Sequence, residues 1–181
     1  MSGGPVYRRA TPADAEMLCA LMSDPAVFGG LLQLPYPSAD AWRKRLEEQV
    51  LQPAALHLLA LDAHGATPAV IGSAGIHPIG PSQRQKHVGG MGICVAPAWQ
   101  RRGVGSELVR RLLDWADNWA GYLRVELQVY TDNVAALALY RRFGFDREGT
   151  LRAHALRDGR FVDSHLMARL HPRQPQVDVT H

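Results

Sequence analysis

Residues 100–106, Gln-Arg-Arg-Gly-Val-Gly-Ser, put two arginines and two glycines in one short turn. The chemistry open to such a turn is the holding of a diphosphate. It follows an apolar run closed by Pro97 and opens an amphipathic segment. The first turn of a helix has backbone N–H groups with no internal partner, and the helix dipole adds partial positive charge there. Gly103 and Gly105 lack a Cβ, so a ligand can come close to the backbone. Arg101 and Arg102 add fixed charge and forked donors suited to phosphate.

Other phosphate-binding turns have different signatures. A P-loop ends in Gly-Lys-Ser/Thr, whereas Gly103-Val104-Gly105-Ser106-Glu107 has no lysine, which argues against a nucleotide triphosphatase. A dinucleotide fingerprint has a third glycine, and Leu108 stands at that position. An acidic residue about 20 positions further on is also expected of that fingerprint. Glu126 lies near that offset, so the dinucleotide reading stays open on the turn alone. So does a plain glycine turn with two solvated arginines.

The segment that follows separates these readings. Residues 123–130 alternate apolar and polar with period two, the pattern of a half-buried strand. Thr131-Asp132-Asn133 is an N-cap cluster, and 134–142 reads as a short helix stopped at Gly144, before Phe145 starts another strand. The order is strand, Gln-x-x-Gly-x-Gly turn, helix, strand, Asn133-x-x-Ala136-x-x-x-Tyr140 helix, then Phe143-Gly144-Phe145. In these motifs the chain resembles the GCN5-related N-acetyltransferase (GNAT) superfamily, over roughly residues 5–170. Residues 33–38, 92–95, 117–119, 155–159, 162–163 and 167–169 resemble most the branch that acetylates the α-amine of free L-amino acids such as phenylalanine and methionine, from which the chain departs around His165.

The resemblance implies an α+β fold in three layers, with a mixed, mostly antiparallel seven-stranded sheet flanked by about four helices and splayed after the fourth strand. It implies acetyl-CoA as cosubstrate and direct transfer of acetyl to an amine. Ile93, Cys94 and Val95 would pair with the pantetheine arm and polarise the thioester carbonyl. Gln100, Arg101, Arg102, Gly103, Val104, Gly105 and Ser106 would hold the pyrophosphate, and Asn133 and Ala136 would reach the cofactor; N-capping accounts for Asn133 equally well. Tyr140 would protonate the leaving thiolate: a thiol titrates near 8.5 and a tyrosine near 10, and general acid help is worth roughly 10²–10⁴-fold. The attacking amine must be neutral, and Glu126 is the leading base, with His77 and His87 as the others. Phe28, Leu34, Tyr36, His77, His154 and His165 are expected to line the acceptor pocket. Arg84 or Arg157 would meet a free carboxylate. Family members often pair as homodimers. The alternatives are acetylation of a protein N-terminus or a toxic amine, and a non-catalytic acyl-CoA sensor.

The elements that must position these residues are legible in outline. Strands are expected at 6–10, 56–63, 70–77, 87–95, 123–130, 145–156 and 161–170, and helices at 11–22, 38–51, 103–120 and 134–142. Residues 24–37 read as a loop. Val104, Leu108, Leu112, Trp115 and Trp119 would form the buried stripe of the long helix. At 181 residues, 46% hydrophobic and 20% charged, the chain fits one globular domain over 5–170, with 171–181 a flexible tail. The start lacks the basic and apolar regions of a signal peptide, and no apolar run approaches a membrane span of about 20 residues. A cytoplasmic location and no membrane partner are expected. Cys19 and Cys94 read as free thiols, and the scattered histidines give no metal pattern. A net charge of +3, carried largely by paired arginines, suits a polyanionic cofactor better than nucleic acid.

Overall fold

A computed structural model of the chain describes residues 4–64 and 68–173. The strands are β1 (Val6–Arg9), β2 (Leu56–Asp62), β3 (Ala69–Pro78), β4 (Val88–Val95), β5 (Arg124–Tyr130), β6 (Asp146–Arg157) and β7 (Arg160–Leu170). They form one sheet in the order β1-β2-β3-β4-β5-β7-β6. Each neighbouring pair is antiparallel except β4 and β5, which run parallel. The helices are α1 (Ala15–Met22), α2 (Pro25–Phe28), α3 (Ala39–Val50), α4 (Val104–Trp115) and α5 (Val134–Arg142).

Alternation along each strand feeds two cores. Leu58, Ala60, Ala74, Ile76 and Met91 join α4 and α5 on one face, while Leu59, Leu61 and Val70 join α1 and α3 on the other. The period-two pattern of the strands and the 3.6-residue pattern of the helices are satisfied together, which makes the arrangement three-layered.

Local sequence starts the helices where their caps lie. Ser38 Oγ accepts from Ala41 N at 3.2 Å to open α3, and Asn133 Oδ1 accepts from Ala136 N at 3.1 Å to open α5. Thr11 and Asp14 form a capping box before α1. Asp14 is buried and also takes both nitrogens of Arg8, at 2.7 and 2.6 Å. That guanidinium holds its carboxyl down at about 2.

The structure corrects the sequence reading in three places. Residues 24–37 contain α2, one helical turn opened by Asp24 and Pro25, so the described residues hold five α-helices where about four were expected. The long helix stops being α-helical at Trp115 and ends in a π-type turn, Ala116–Ala120. The wider turn shifts the phase of the stripe: Ala116 is fully buried, whereas Trp119 is 79% exposed. Finally, His171, expected in the tail, donates its N–H to Leu123 O at 2.8 Å. Residues 174–181 of that expected tail, and 65–67 of the expected turn between β2 and β3, lie outside the described residues.

Candidate functional site

β4 and β5 pair only at Val88↔Arg124, Gly89↔Val125 and Gly90↔Glu126. β4 then continues to Val95 against β3, and β5 to Tyr130 against β7. From Met91 and Leu127 onward the two strands part, and a cleft of about 1010 Å³ opens between them. It is lined from one side by the turn before α4 and by α5, and from the other by residues of the 26–33 segment, β3 and β7.

The first side is built from backbone and a few anchored side chains. Arg101 and Gly103 both have positive φ, 57° and 87°. Left-handed residues in such a turn gather N–H groups into a concave, anion-attracting surface. Gly103 is the N-cap of α4 and offers no side chain to cap it, and a Cβ there would meet nothing within 4 Å. The free N-terminus of α4 therefore faces the cleft, through Gly103, Gly105 and Ser106. Gln100 lines the cleft while its Nε2 donates to Val95 O at 3.1 Å. These groups fit the diphosphate of a coenzyme A thioester.

Two residues predicted for this side point elsewhere. Arg102 stacks on the Trp99 ring, 4.6 Å from its centroid, and the Val104 side chain is buried in the core. Neither lines the cleft, although their backbones belong to the turn. Arg142, from the last turn of α5, does line it. In the sequence Arg142 reads as one half of an arginine pair; its offsets of three from Leu139 and seven from Ala135, both of which line the cleft, were the signal available.

Tyr140 lines the cleft on the α5 side. Its ring is buried against Phe145, with centroids 5.8 Å apart. Burial pushes its hydroxyl well above the ordinary tyrosine range. The near match to a thiol drawn from ordinary values is therefore corrected: this phenol is a weaker acid than an exposed one. Cys94 also lines the cleft, and burial pushes its thiol up to about 12. A thiol so held is a poor nucleophile. Asn133 caps α5 and lines the same wall, as do Ala136, Ile93 and Val95.

The opposite side carries Glu126, Gln128, Ser164 and Leu166 from β5 and β7, and His77 from β3. Glu126 Oε2 accepts from Arg124 Nε at 3.0 Å, and Arg124 in turn binds both oxygens of Glu148 at 2.7 and 2.6 Å. Of the residues predicted for the acceptor pocket, only His77 lines the cleft. Leu34 and Tyr36 are exposed, at 84% and 95%. The 24–37 segment turns through α2 instead, so Ala26, Val27 and Gly30 to Gln33 meet the cleft in their place. Phe28, His154 and His165 do not line it. His165 Nδ1 is paired with Thr150 Oγ1 at 2.9 Å across β6 and β7. Arg84 and His87 also lie off the cleft, and Arg157 is engaged with Asp132 while stacking on Tyr130.

A splayed sheet over a free helix N-terminus, with a buried tyrosine on one wall, defines an acyl-transfer class of site. The chain belongs to the Acetyltransferase (GNAT) family, whose sequence model matches residues 20–145. The L-amino acid N-acetyltransferase AaaT of Escherichia coli (strain K12) is 37% identical over 166 residues, covering 91% of this chain and 97% of that protein. The N-alpha-acetyltransferase RimI of Mycobacterium tuberculosis (strain ATCC 25618 / H37Rv) is 42% identical over 103 residues, 55% of this chain and 59% of that protein. Among solved structures, yncA from Salmonella typhimurium with its cofactor acetyl-CoA superposes with a TM-score of 0.83 at 19% identity, covering 98% of this chain and 100% of that one. This last likeness shows the fold. Among the described residues, no helix is long and apolar enough to cross a membrane.

Proposed function

We propose that the protein is an acetyl-CoA-dependent N-acetyltransferase whose acceptor is the α-amine of a free L-amino acid with a large apolar side chain. The observation that carries this reading is the parting of β4 and β5 just beyond the Gly90↔Glu126 pair, with Tyr140 on one wall and Glu126 on the other. An amine entering beside the carboxylate would reach the same gap that a thioester enters from the turn before α4. The amino-acid part of the reading is supported by the likeness to AaaT, which runs over 91% of this chain.

Acetyl-CoA supplies an acetyl group activated as a thioester. The turn 100–106 and the N-terminus of α4 hold its diphosphate, and the free edge of β4 from Met91 to Val95 lies along the gap. Tyr140 keeps its proton and donates a hydrogen bond toward the position of the departing sulfur. The hydroxyl has no hydrogen-bond partner among the described residues, and no buried polar side-chain atom is left unpaired, so the oxygen opens into the cleft. Glu126 attracts the ammonium of the incoming acceptor. Leu166, Leu31 and Leu32 offer apolar surface to its side chain.

A second reading, acetylation of a protein N-terminus, is favoured by the likeness to RimI over 103 residues. Thiol release from acetyl-CoA, measured across the twenty L-amino acids and a set of short peptides, separates the two. Activity on phenylalanine or methionine supports the first, and activity confined to peptides supports the second.

A further inference from the structure

The acceptor wall holds a row of three residues on adjacent strands. His77 on β3 is the register partner of Gly90 on β4, and Gly90 is the register partner of Glu126 on β5. Residues directly opposite one another share a face of the sheet. His77 and Glu126 therefore stand on one face with a single glycine between them, about 9–10 Å apart from two strand spacings. The row crosses the sheet at the point where β4 and β5 part, and all three residues line the cleft. An ideal Cβ on Gly90 would lie 3.5 Å from His77 Cε1 and 3.3 Å from Ile79 Cγ2. The imidazole lies in ordinary contact with the space above the glycine, where a Cβ would press first on Ile79.

The tautomer of His77 is fixed by its neighbour. Nδ1 lies 3.0 Å from the Pro78 carbonyl oxygen. A carbonyl only accepts, so Nδ1 carries the hydrogen and the lone pair of the neutral ring sits on Nε2. No protein group within the described residues bonds to Nε2. Glu126 is different: its carboxylate is bonded to Arg124, the guanidinium it shares with Glu148. One wall thus presents a committed anion and an uncommitted lone pair.

We propose that His77 Nε2 takes the proton from the acceptor ammonium, while Glu126, backed by Arg124, holds that ammonium by charge. This rests on the reading of the acceptor as a primary amine. In the step an N–H bond of the ammonium breaks and an Nε2–H bond forms. The electron pair left on nitrogen becomes the nucleophile, and the imidazolium releases its proton to solvent through the open cleft. The ionisable side chains beside the row on the neighbouring strands are His57 on β2 and Glu126 with Arg124 on β5; on β4 Gly90 stands opposite His77, and Cys94 lies four residues further along. His57 is bonded to Ser73 and Gln49, and burial pushes it down to about 4, so it carries no charge near neutral pH. The other ionisable side chains of the cleft are Cys94 and Tyr140, both pushed up by burial, with Tyr130, Arg101 and Arg142.

The test is the pH dependence of kcat/KM for one accepted amine in the wild type, His77→Gln and Glu126→Gln. The expected result is a loss of roughly 10²-fold in His77→Gln near neutral pH, shrinking as the pH rises to where the amine is neutral unaided. Glu126→Gln is expected to raise KM for the amine at every pH. A second readout needs no turnover: the ¹⁵N resonances of His77, assigned by their loss in His77→Gln, should report hydrogen on Nδ1 and move at Nε2 when the amine is added alone. A loss in His77→Gln that is the same at all pH values overturns the proposal, as does no loss, or a pH-dependent loss that appears in Glu126→Gln instead. If only peptides are acetylated, the amino-acid reading fails, and the same pH comparison, run on the peptide, still decides His77.

Discussion

The two walls of the cleft are built by different means. The wall around α4 and α5 is made from contiguous chain: a turn of seven residues, the helix it opens, and a second helix entered through Asn133. What it offers to the cleft is backbone N–H groups and one buried phenol. The acceptor wall is made from single side chains on β3, β5 and β7 and from the segment around α2, brought together by register alone. The first wall depends on local conformation and the second on strand pairing. Substitutions should therefore divide cleanly, with those on the first wall changing the handling of acetyl-CoA and those on the second changing the choice and activation of the amine.

Tyr140→Phe gives the largest expected effect. Removing the only hydroxyl that α5 offers the gap should lower kcat by roughly 10²-fold and leave acetyl-CoA affinity unchanged in calorimetry. A variant that bound acetyl-CoA tenfold more weakly would assign Tyr140 to holding the cosubstrate. Gly92→Leu tests the other wall from β4, because Gly92 stands two residues along from Gly90 and shares the face of the His77–Glu126 row. A Cβ on Gly92 meets nothing within 4 Å, so the side chain has room to project from β4. The KM for phenylalanine is expected to rise about tenfold, the size of a lost apolar contact of a few methylenes, while that for alanine stays put. Equal losses on both amino acids would move Gly92 to the cosubstrate's side of the comparison.

Smaller effects are expected from backbone and from residues remote from the cleft. Gly103→Ala forces a Cβ onto a φ of 87° with no neighbour to clash. The cost is conformational, about 1 kcal/mol, and should appear as weaker acetyl-CoA binding with the acceptor KM unmoved. Asp14→Asn is the control that should touch neither wall. Asp14 is held at about 2 by Arg8, below its unfolded value near 3.9. The stability this contributes is complete above that unfolded value and is lost as the pH falls through about 2. Thermal unfolding near pH 7 should show a loss of roughly 1–2 kcal/mol in Asp14→Asn, and the difference should vanish in strong acid.

What was legible in the sequence follows the same division. The turn, its helix, Asn133 and Tyr140 are joined by short stretches of chain, so their spacing carried the first wall. The strands were legible because period-two alternation and their Gly and Pro boundaries agree. The acceptor wall was legible only in part: Glu126 and His77 could be named singly, but register decides that they stand in one row with Gly90, and nothing local shows it. The same ambiguity put Leu34 and Tyr36 in the pocket. Their apolar side chains suggested burial, but the helical turn at Pro25–Phe28 redirects the segment and leaves both exposed. Trp119 was misplaced for another reason, since one π-type turn rotates a stripe that ideal helical spacing would have kept buried.

The most direct test of the account is thiol release from acetyl-CoA with phenylalanine, methionine, alanine, a matched short peptide and no acceptor, in the wild type and in Tyr140→Phe. Release is expected to be fastest with phenylalanine or methionine and to drop roughly 10²-fold in the variant. Tight acetyl-CoA binding without acceptor-dependent thiol release on any of these amines would contradict it.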